Sequence, residues 1–350
     1  MPYLRFNFGM ITIQTPSPIA WDAYVRTQPR AHALQLSAFG ALKSAFGWQS
    51  AQIALMRDDD TIIGGAQLLF RALPMKLGSL AYLPMGPYLS DDTYQTQLWN
   101  AIHQTAKKHG ARFLKWEAGI FIDDPAPDFE SLKFKPSPQT IQPPNTVILD
   151  ISDDEEAILA RMNQGTRRKI RQSLKNDIHY YQATREDVSK FTSMMNTTGE
   201  RNAFGVHEPA YYDLAYELSV PQGDATLFMA EHEGDSLAGV FVYKASKTAW
   251  YLYGASSNIK RNLMASYGVQ WQAIQWAKAH GCTEYDMWGI PDADEATLEA
   301  EFQNRDDDLW GVYGFKRGWG GKIVRSMGAW DVVYNPLVYN AYKTYLKIRA

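Results

Sequence analysis

The chain has 350 residues, of which 45% are hydrophobic and 21% are charged, and its formal net charge is -3 at pH 7. These values are typical of a folded protein with two domains, and they exclude an overall positive field that would attract DNA. Cys282 is the only cysteine, which excludes an internal disulfide and favours a cytoplasmic location. No segment has the ~18 apolar residues of a membrane-spanning helix, and the histidines lack the spacing of metal ligands, so we expect neither a membrane span nor a metal site.

The first half of the chain alternates between helical and strand patterns. The predicted elements are, in order, a helix over 30–46, a hairpin over 51–70, a strand over 79–87, a helix over 92–109 and a strand over 112–118. Residues 124–144 contain six prolines, so we predict an irregular connection there.

The second half begins with a predicted strand over 145–151 and a signal for the start of a helix. The sequence SDDE at 152–155 has the capping-box pattern, which predicts a basic helix running to about Lys175 with Ile170 and Leu174 facing the core. The elements predicted after it are a second helix, strands over 225–233, 236–246 and 248–256, a helix ending before Gly281, a strand over 283–290 and an amphipathic helix over 335–350.

Two segments of the chain resemble each other. The sequence AIHQTAKKHGARFLKW at 101–116 is similar to AIQWAKAHGCTEYDMW at 273–288, and each combines a helix, a His-Gly stop and a strand. We interpret them as two copies of one α+β unit, whose order of elements is that of the GCN5-related N-acetyltransferase (GNAT) fold. The sequence therefore predicts two GNAT-like domains in tandem with a cleft between them, although fold alone does not assign chemistry.

The sequence LWGVYGFKRGWGGKIVR at 309–325 is rich in glycine and aromatic residues and is typical of neither a strand nor a regular helix. It places two cations, Lys316 and Arg317, among aromatic rings and bare backbone. By contrast, residues 254–271 lack the glycine-rich turn that cradles the CoA pyrophosphate before a helix, and bulky side chains occupy 262–264. We therefore predict no CoA and no other cofactor.

Several ordered motifs resemble the Fem-type (FemX-like, FemABX family) peptidyltransferases, which build the interpeptide bridge of peptidoglycan. The two most specific are YLYGASSNIKRNLMASYGVQWQAIQWAKAHGCTEYDMWGI at 251–290 and LWGVYGFKRGWGG at 309–321. The weaker ones are LQLSAFGALKSAFGW at 34–48, YLPMGP at 82–87 and RRKIRQSLKNDIHY at 167–180. The resemblance implies a transferase that moves an amino acid from aminoacyl-tRNA to an amine of a muropeptide stem, on a nucleotide-linked or a lipid-linked precursor.

The resemblance also implies how the chain is divided. We predict a first GNAT-like domain over residues 1–148, joined by the C-terminal segment 328–350, and a second over 149–327. Some family members carry a coiled-coil arm, but the sequence has no sustained heptads, so we predict a member without one. The implied enzyme is cytoplasmic, and peripheral contact with the inner leaflet of the membrane is left open.

Lys316 matches the lysine of the family's F-K-x-x-F-G pattern, with Trp319 in place of the second phenylalanine. The resemblance implies that Lys316 stabilises the negative oxygen that forms when an amine attacks an ester, and that Phe315 positions it. From the residues alone, Lys316 also fits a solvated lysine at a helix C-terminus before a glycine.

Other positions match family residues that contact substrate. The predicted substrate-binding residues are Lys43, Arg261, Tyr267, Asp91, Tyr285 and Trp319. Lys43 and Arg261 match cations that meet the pyrophosphate of the acceptor, to which cations form charge-assisted hydrogen bonds, and Tyr267 matches a family tyrosine that leads into the long helix. Asp91 stands next to the usual acidic position, after a YLPMGP motif in which Met85 replaces the family's arginine.

Arg167, Arg168 and Arg171 lie in a basic run that we predict to bind the tRNA backbone. A solvated helix surface explains this run as well, since four acidic residues open the same predicted helix. No general base stands out, and His207 and Asp286 are the candidates.

Two other classes of function stay open on the sequence. One is a different N-acyltransferase of the same fold, either CoA-dependent or acting on protein N-termini. The other is a non-catalytic protein that binds muropeptides or RNA.

Overall fold

The computed structural model describes residues 11–202 and 205–349, so the first ten residues of the predicted first domain and Ala350 lie outside the described residues. The strands of the first half are β1 (Thr12–Gln14), β2 (Trp48–Met56), β3 (Ile62–Ala72), β4 (Ser79–Pro84), β5 (Tyr88–Leu89), β6 (Ala111–Glu117) and β7 (Lys135–Pro136). Its helices are α1 (Pro18–Arg26), α2 (Ser37–Ala45) and α3 (Gln95–Lys108).

The remaining elements follow in chain order. The strands are β8 (Asn145–Asp150), β9 (His179–Gln182), β10 (Ala225–His232), β11 (Asp235–Ala245), β12 (Thr248–Ser256), β13 (Glu284–Asp286), β14 (Lys322–Arg325) and β15 (Ala329–Val333). The helices are α4 (Glu155–Arg161), α5 (Gln164–Lys175), α6 (Val188–Asn202), α7 (Pro209–Ser219), α8 (Ala265–Ala279), α9 (Glu295–Glu301), α10 (Trp310–Lys316) and α11 (Pro336–Arg349). In the described part of the chain no helix exceeds 15 residues, which leaves no coiled-coil arm there.

The two sheets of the molecule have the same strand order. The first runs β1-β2-β3-β4-β6-β15-β7, with β5 paired to β3, and the second runs β9-β10-β11-β12-β13-β8-β14. In each, the fourth and fifth strands are parallel, β4 with β6 and β12 with β13. The other neighbours along each order are antiparallel. The prediction of two α+β units of GNAT type is confirmed.

The two halves exchange one strand each. β8 follows the first unit in sequence but pairs with β13 and β14 of the second sheet, whereas β15 follows the second unit and pairs with β6 and β7 of the first. The predicted domain limit between residues 148 and 149 falls inside β8, all of whose length pairs in the second sheet. Each sheet is thus completed by the strand that follows the other unit in sequence.

The His-Gly stops join equivalent elements in the two units. His109 and His280 are the C-cap residues of α3 and α8, and their N–H groups bond to carbonyls four residues earlier. Gly110 and Gly281 follow with φ of 71° and 82°, a left-handed conformation that glycine adopts without a steric penalty. The chain therefore turns at once from each helix into the strand that pairs in parallel.

A shared hydrophobic core fixes the two halves against each other. Besides the clusters that belong to one sheet alone, a shared cluster combines Trp21 and Leu42 of the first half with Phe191, Tyr211 and Phe241 of the second. Since these side chains are buried on both sides of the contact, the position of the cleft between the halves is set by packing.

The helix predicted over 30–46 is only partly α-helical. A short 3-10 turn occupies Ala33–Gln35, and Leu36 is extended, with φ of -71° and ψ of 146°, before α2 begins. The buried amide of Gln35 explains the interruption, because it bonds the backbone of Gln67 and Pro84 and so ties this turn to β3 and β4.

The predicted capping box starts two residues too early. Asp154 caps α4, its side chain accepting a hydrogen bond from the Ala157 N–H at 2.8 Å. Ser152 instead donates its hydroxyl to Asp150 in a local turn.

The predicted basic helix is two helices. Met162 is extended, with φ of -69° and ψ of 153°, and Asn163 caps α5 by accepting from the Thr166 N–H at 2.7 Å. Ile170 is buried as predicted, but Leu174 is 45% exposed, so its predicted place in the core is wrong. The break at Met162 sets the rotation of α5 independently of α4.

Candidate active site

The parallel strands of the second sheet separate and open a cavity. β12 and β13 pair at only three positions, from Thr248 with Glu284 to Trp250 with Asp286. Beyond them, a cavity of about 260 Å³ lies between the rest of β12 and the segment that follows β13. Its lining includes Tyr251, Tyr253, His207, Trp288, Gly289 and Lys316.

Lys316 ends α10 and forms part of the wall of this cavity, with 7% of the residue exposed. Its Nζ donates to the carbonyl oxygens of Gly289 at 2.7 Å and Trp288 at 3.3 Å, and it lies 5.7 Å from the centre of the Tyr251 ring. An ammonium group has three N–H bonds, so one stays free for a molecule in the cavity. A solvated lysine at a helix end does not fit this geometry.

Lys316 and Asp286 both titrate near neutrality. Burial lowers the pKa of Lys316 to about 7, because an ammonium group loses hydration there, and the negative charge of Asp286 opposes this shift. Burial raises the pKa of Asp286 to about 6, while hydrogen bonds from Thr146 Oγ1 and the Trp288 N–H act in the lowering direction. Groups with such pKa values suit chemistry at neutral pH.

A larger cavity, of about 620 Å³, lies between the two halves, as the predicted cleft requires. It shares the Trp288–Gly289 segment with the Lys316 cavity. The first half contributes residues 29–32, 117 and 119–121, and the second contributes residues of β8, β12 and β13, among them Asp286. The one segment therefore separates two cavities, one with a buried cation in its wall and one with a buried carboxylate.

Phe315 packs between two other rings. Its ring centre lies 5.0 Å from that of Tyr267 and 5.6 Å from that of Trp319. Trp319 is only 1% exposed and stacks on Tyr267 at 6.0 Å, so the prediction that it contacts substrate is corrected: it fills the core. Phe315 anchors the end of α10, and with it the backbone of Lys316.

Tyr285 is fully buried as well. Its hydroxyl accepts a hydrogen bond from Gln270 Nε2 of α8 at 2.6 Å. Side chains alternate along β13, and those of Glu284 and Asp286 face the larger cavity, so the Tyr285 side chain points to the opposite face, into the core. The prediction that Tyr285 faces substrate is corrected accordingly.

Gly318 brings α5 close to the turn after α10. A Cβ at this position would lie 2.3 Å from Thr166 Oγ1 and 2.9 Å from Asn163 Nδ2. The Asn163 N–H also bonds the Gly318 carbonyl at 3.0 Å. The glycine in the Lys316 motif is therefore explained by close packing of backbone against the start of α5.

Lys43 lies where α2 meets the second half. Its Nζ is 5.4 Å from the ring centre of Phe39 and 5.2 Å from that of Tyr211. His207 stacks on Tyr211 at 3.7 Å and lines the Lys316 cavity. Burial lowers the pKa of Lys43 to about 8, and burial together with the charge of Lys43 lowers that of His207 to about 4. The structure thus brings Lys43 to the same side of the molecule as the Lys316 cavity.

Arg261 and Tyr267 line a small cavity of about 110 Å³ just before α8. Arg261 is exposed in a 3-10 turn (Arg261–Leu263), while the Tyr267 hydroxyl accepts from Lys169 Nζ at 3.0 Å. These two predicted residues lie together, in a place separate from the cavity that Lys316 lines.

Asp91 has a local structural contact. Its side chain accepts from the Thr93 N–H at 3.0 Å and caps the 3-10 turn that leads into α3. Asp91 lines neither the Lys316 cavity nor the larger one, so the prediction that it binds acceptor is not supported by its position.

The three predicted tRNA-binding arginines differ in their surroundings. Arg167 is half-buried and donates to the carbonyl oxygens of Ala160 and Met162, which end α4. Arg168 and Arg171 are exposed on α5, and neither forms an ion pair with another described residue. Only Arg168 and Arg171 are therefore free to meet a phosphate backbone, whereas Arg167 serves the junction of two helices.

The sequence did not single out the backbone that holds Lys316. Trp288 has a φ of 60°, which is unusual for a residue other than glycine, and it turns the chain so that two successive carbonyls face Nζ. Two features of the sequence could have indicated this cavity. One is the pair Trp288-Gly289 directly after a short strand, and the other is the alternation of Tyr251 and Tyr253 in β12.

A family model assigns the chain to a known group. The model described as FemAB family matches residues 17–135, 128–235 and 218–347. The chain belongs to the FemAB family. The Fem-type resemblance seen in the sequence is thereby confirmed.

Relatives with curated names extend over nearly the whole chain. A Lipid II:glycine glycyltransferase of Staphylococcus saprophyticus is 27% identical over 394 aligned residues, which cover 91% of this chain and 92% of that protein. A protein of the same name from Staphylococcus aureus is 25% identical, with the same coverage of both chains.

Solved structures agree with the fold of a FemAB member. The crystal structure of FemX matches with a TM-score of 0.84 at 24% identity, covering 94% of this chain and 99% of that one. A tandem GNAT protein from the clavulanic acid pathway matches with a TM-score of 0.55 at 13% identity, covering 93% and 99%. These likenesses support the tandem GNAT-like architecture.

The described part of this FemAB-family chain offers no metal site and no membrane span. Across residues 11–202 and 205–349, no three side chains of histidine, cysteine or carboxylate type are grouped to hold an ion. No helix in these ranges is both long and apolar enough to cross a membrane.

Proposed function

We propose that this FemAB-family enzyme transfers an amino acid from aminoacyl-tRNA onto the amine of a peptidoglycan precursor stem, in the cytoplasm. The names of its relatives support the acceptor, since both are called Lipid II:glycine glycyltransferases. For this reason the proposed acceptor is lipid-linked.

One observation carries the catalytic part of the proposal: Lys316 is buried in a cavity wall and held by two carbonyls. Its Nζ is fixed by Gly289 and Trp288 and keeps one N–H for the cavity. A donor held in place before the reaction costs no reorganisation when charge develops, and it acts strongly where water is scarce.

The reaction that fits this site is aminolysis of an ester. The acceptor amine attacks the ester carbonyl carbon, a C–N bond forms, and the carbonyl oxygen becomes negative in a tetrahedral intermediate. The free N–H of Lys316 stabilises that oxygen. Collapse of the intermediate breaks the ester C–O bond, and the terminal hydroxyl of the tRNA leaves with the proton that the amine has lost.

The surrounding cations suit the anionic parts of two substrates. Lys43, next to the cavity, and Arg261, in the small cavity before α8, are the proposed contacts to acceptor phosphate. Arg168 and Arg171 are the proposed contacts to the tRNA backbone, because they are exposed and unpaired among the described residues. Tyr267, beside Arg261, completes the proposed acceptor contacts.

The experiment is mass spectrometry of lipid-linked and nucleotide-linked muropeptides after incubation with total charged tRNA. The expected result is a gain of one amino-acid residue on the lipid-linked acceptor, which disappears when the tRNA is deacylated first. No gain on either acceptor would contradict the proposal. A gain on the nucleotide-linked acceptor alone would correct the choice of acceptor.

A further inference from the structure

Because the fold is repeated, the buried Asp286 of the second sheet can be compared with the residue at the same position in the first sheet. Asp286 stands six residues after His280, and Lys115 stands six residues after His109, so the two occupy matching places in β13 and β6. Both are buried. In the first sheet the neighbouring exchanged strand places Asp331 opposite Lys115, at 3.2 Å between Oδ1 and Nζ.

The second sheet supplies no such partner. The exchanged strand β8 places Ile148 opposite Asp286. In the described part of the chain no lysine, arginine or histidine forms an ion pair with Asp286, and Lys316 directs its hydrogen bonds to carbonyls instead. The same position is therefore held in an ion pair in one half, whereas in the other half its carboxylate forms no ion pair and senses the charge of Lys316 without direct contact.

Only one of the two carboxylate oxygens of Asp286 accepts hydrogen bonds from the described residues. Oδ1 accepts from Thr146 Oγ1 and from the Trp288 N–H, the latter at 2.7 Å. Oδ2 accepts no hydrogen bond from any described residue, although only 6% of Asp286 is exposed. Oδ2 keeps contact with solvent, so it is open to the cavity and can accept a charge-assisted hydrogen bond from a ligand there.

Asp286 lines the 620 Å³ cavity, whose charged groups are mainly acidic. Glu117, Asp124 and Glu284 also line it, against Arg30 as the cation. The two oxygens of Glu117 are already occupied by the Tyr82 hydroxyl and by two backbone N–H groups. Asp286 is therefore the deep carboxylate that remains available, in a field that favours a cation.

Aromatic rings complete the site. Trp250 and Trp288 line the cavity, and His32 lies between them, 4.3 Å and 5.9 Å from their ring centres. Burial lowers the pKa of His32 to about 3, so this ring is neutral and does not repel a cation. Tryptophan beside a carboxylate is a combination that recognises ammonium groups.

We propose that the 620 Å³ cavity binds a primary ammonium group, which donates to Oδ2 of Asp286 beside the rings of Trp250 and Trp288. The ligand class is a small amine of the amino-acid amide or ester type. The inference does not depend on the transfer reaction proposed above, because it concerns a different cavity and is tested by binding alone.

The test is calorimetric titration of the full-length chain at neutral pH with glycinamide, and with N-acetylglycinamide as its uncharged counterpart. We expect wild type to bind glycinamide at least tenfold more tightly than the acetylated compound, and Asp286→Asn to lose at least tenfold in affinity for glycinamide. The control is Glu156→Gln, an exposed carboxylate of α4 outside the cavity, which should change the affinity by less than about threefold.

Two results would overturn the inference: equal affinity of wild type for the two amides, or wild-type affinity in a folded Asp286→Asn protein. Thermal unfolding establishes whether that variant is folded. If it is not, the comparison of the two amides on wild type still decides, and Trp250→Leu gives a second variant with an expected loss of about fivefold. Unchanged glycinamide binding by Trp250→Leu would then remove the aromatic part of the site.

Discussion

The two halves of the molecule share one strand order and differ at the parallel pair. In the first half β4 and β6 stay paired from Ser79 to Pro84, and the buried Lys115 is held by Asp331 of the exchanged strand. In the second half β12 and β13 pair at three positions and then separate, and the buried Lys316 meets carbonyls and a cavity.

This difference shows how one fold yields both a buried lysine paired with a carboxylate and a buried lysine that borders a cavity. A buried ammonium with a carboxylate beside it and no open space can only hold the structure together. A buried ammonium bonded to neutral carbonyls, with one N–H left over, keeps its charge available for a substrate oxygen. The separation of β12 and β13 is what opens a cavity beside the second lysine.

The largest expected effect concerns the stability of the first half. Lys115→Met leaves Asp331 buried without a countercharge, so we expect a loss of about 3–5 kcal/mol in the free energy of unfolding. Denaturant unfolding measures this. The double variant Lys115→Met/Asp331→Leu should recover most of the loss, since it removes the unpaired charge. A single variant as stable as wild type would show that the ion pair does not join β15 to its sheet as described.

The next effect concerns catalysis in the second half. Lys316→Met keeps the bulk of the side chain but removes the N–H donor, so we expect kcat/KM for transfer to fall by about 10²–10³. The matched control is Lys322→Met. Lys322 lies six residues further along the chain, is exposed, and has a weak ion pair with Asp123 at 3.8 Å, so its loss should leave the rate unchanged. Equal activities of the two variants would place Lys316 outside the reaction.

A smaller effect follows from the pKa of Lys316. The ratio of kcat/KM between wild type and Lys316→Met cancels the ionisation of the substrates and isolates this residue. Since the protonated form is the active one and its pKa is lowered to about 7, the ratio should be constant below that pH and fall as pH rises through it. Rates measured from about pH 6 to about pH 8.5 give the ratio. A ratio that rises with pH would instead make the neutral amine the active form.

The smallest effect concerns binding of tRNA to the second half. Arg168→Gln and Arg171→Gln should each weaken binding of charged tRNA a few-fold and reduce the slope of log affinity against log salt by about 1. Binding assays at several salt concentrations measure the slope. The control is Lys108→Gln, an exposed cation of the first half, for which no change is expected. A control variant that behaves like the arginine variants would indicate unspecific attraction.

The repeat was readable from the sequence because it depends on local signals. The helix, His-Gly and strand pattern around His109 and His280 determines a helix end and the strand after it, and the structure confirms both copies. The family resemblance implied that segment 328–350, which contains β15, joins the first domain. The place of β8 in the second sheet was not readable, because the partners of a short apolar strand are chosen by tertiary pairing. The pairing of Lys115 with Asp331 was missed for the same reason.

The site was only partly readable. The motif around Lys316 identified a residue that proves to be buried at a cavity, which is the geometry its predicted role needs. Tyr285 and Trp319 belong to the same motifs but are core residues, since a motif records which residues occur together and not which way each side chain points. The hydrogen bonds from Lys316 to the carbonyls of Trp288 and Gly289 could not be predicted, because every residue has a carbonyl and the sequence does not show which ones face a given side chain.

The most direct test of the oxyanion role is the binding of a tetrahedral, anionic phosphonamidate analogue of the aminolysis intermediate. Wild type and Lys316→Met are compared for the analogue and for the unreacted ester substrate. We expect the variant to lose about 100-fold in affinity for the analogue and less than about threefold for the ester. Equal losses for both ligands would contradict the oxyanion role, because Lys316 would then bind substrate and intermediate alike.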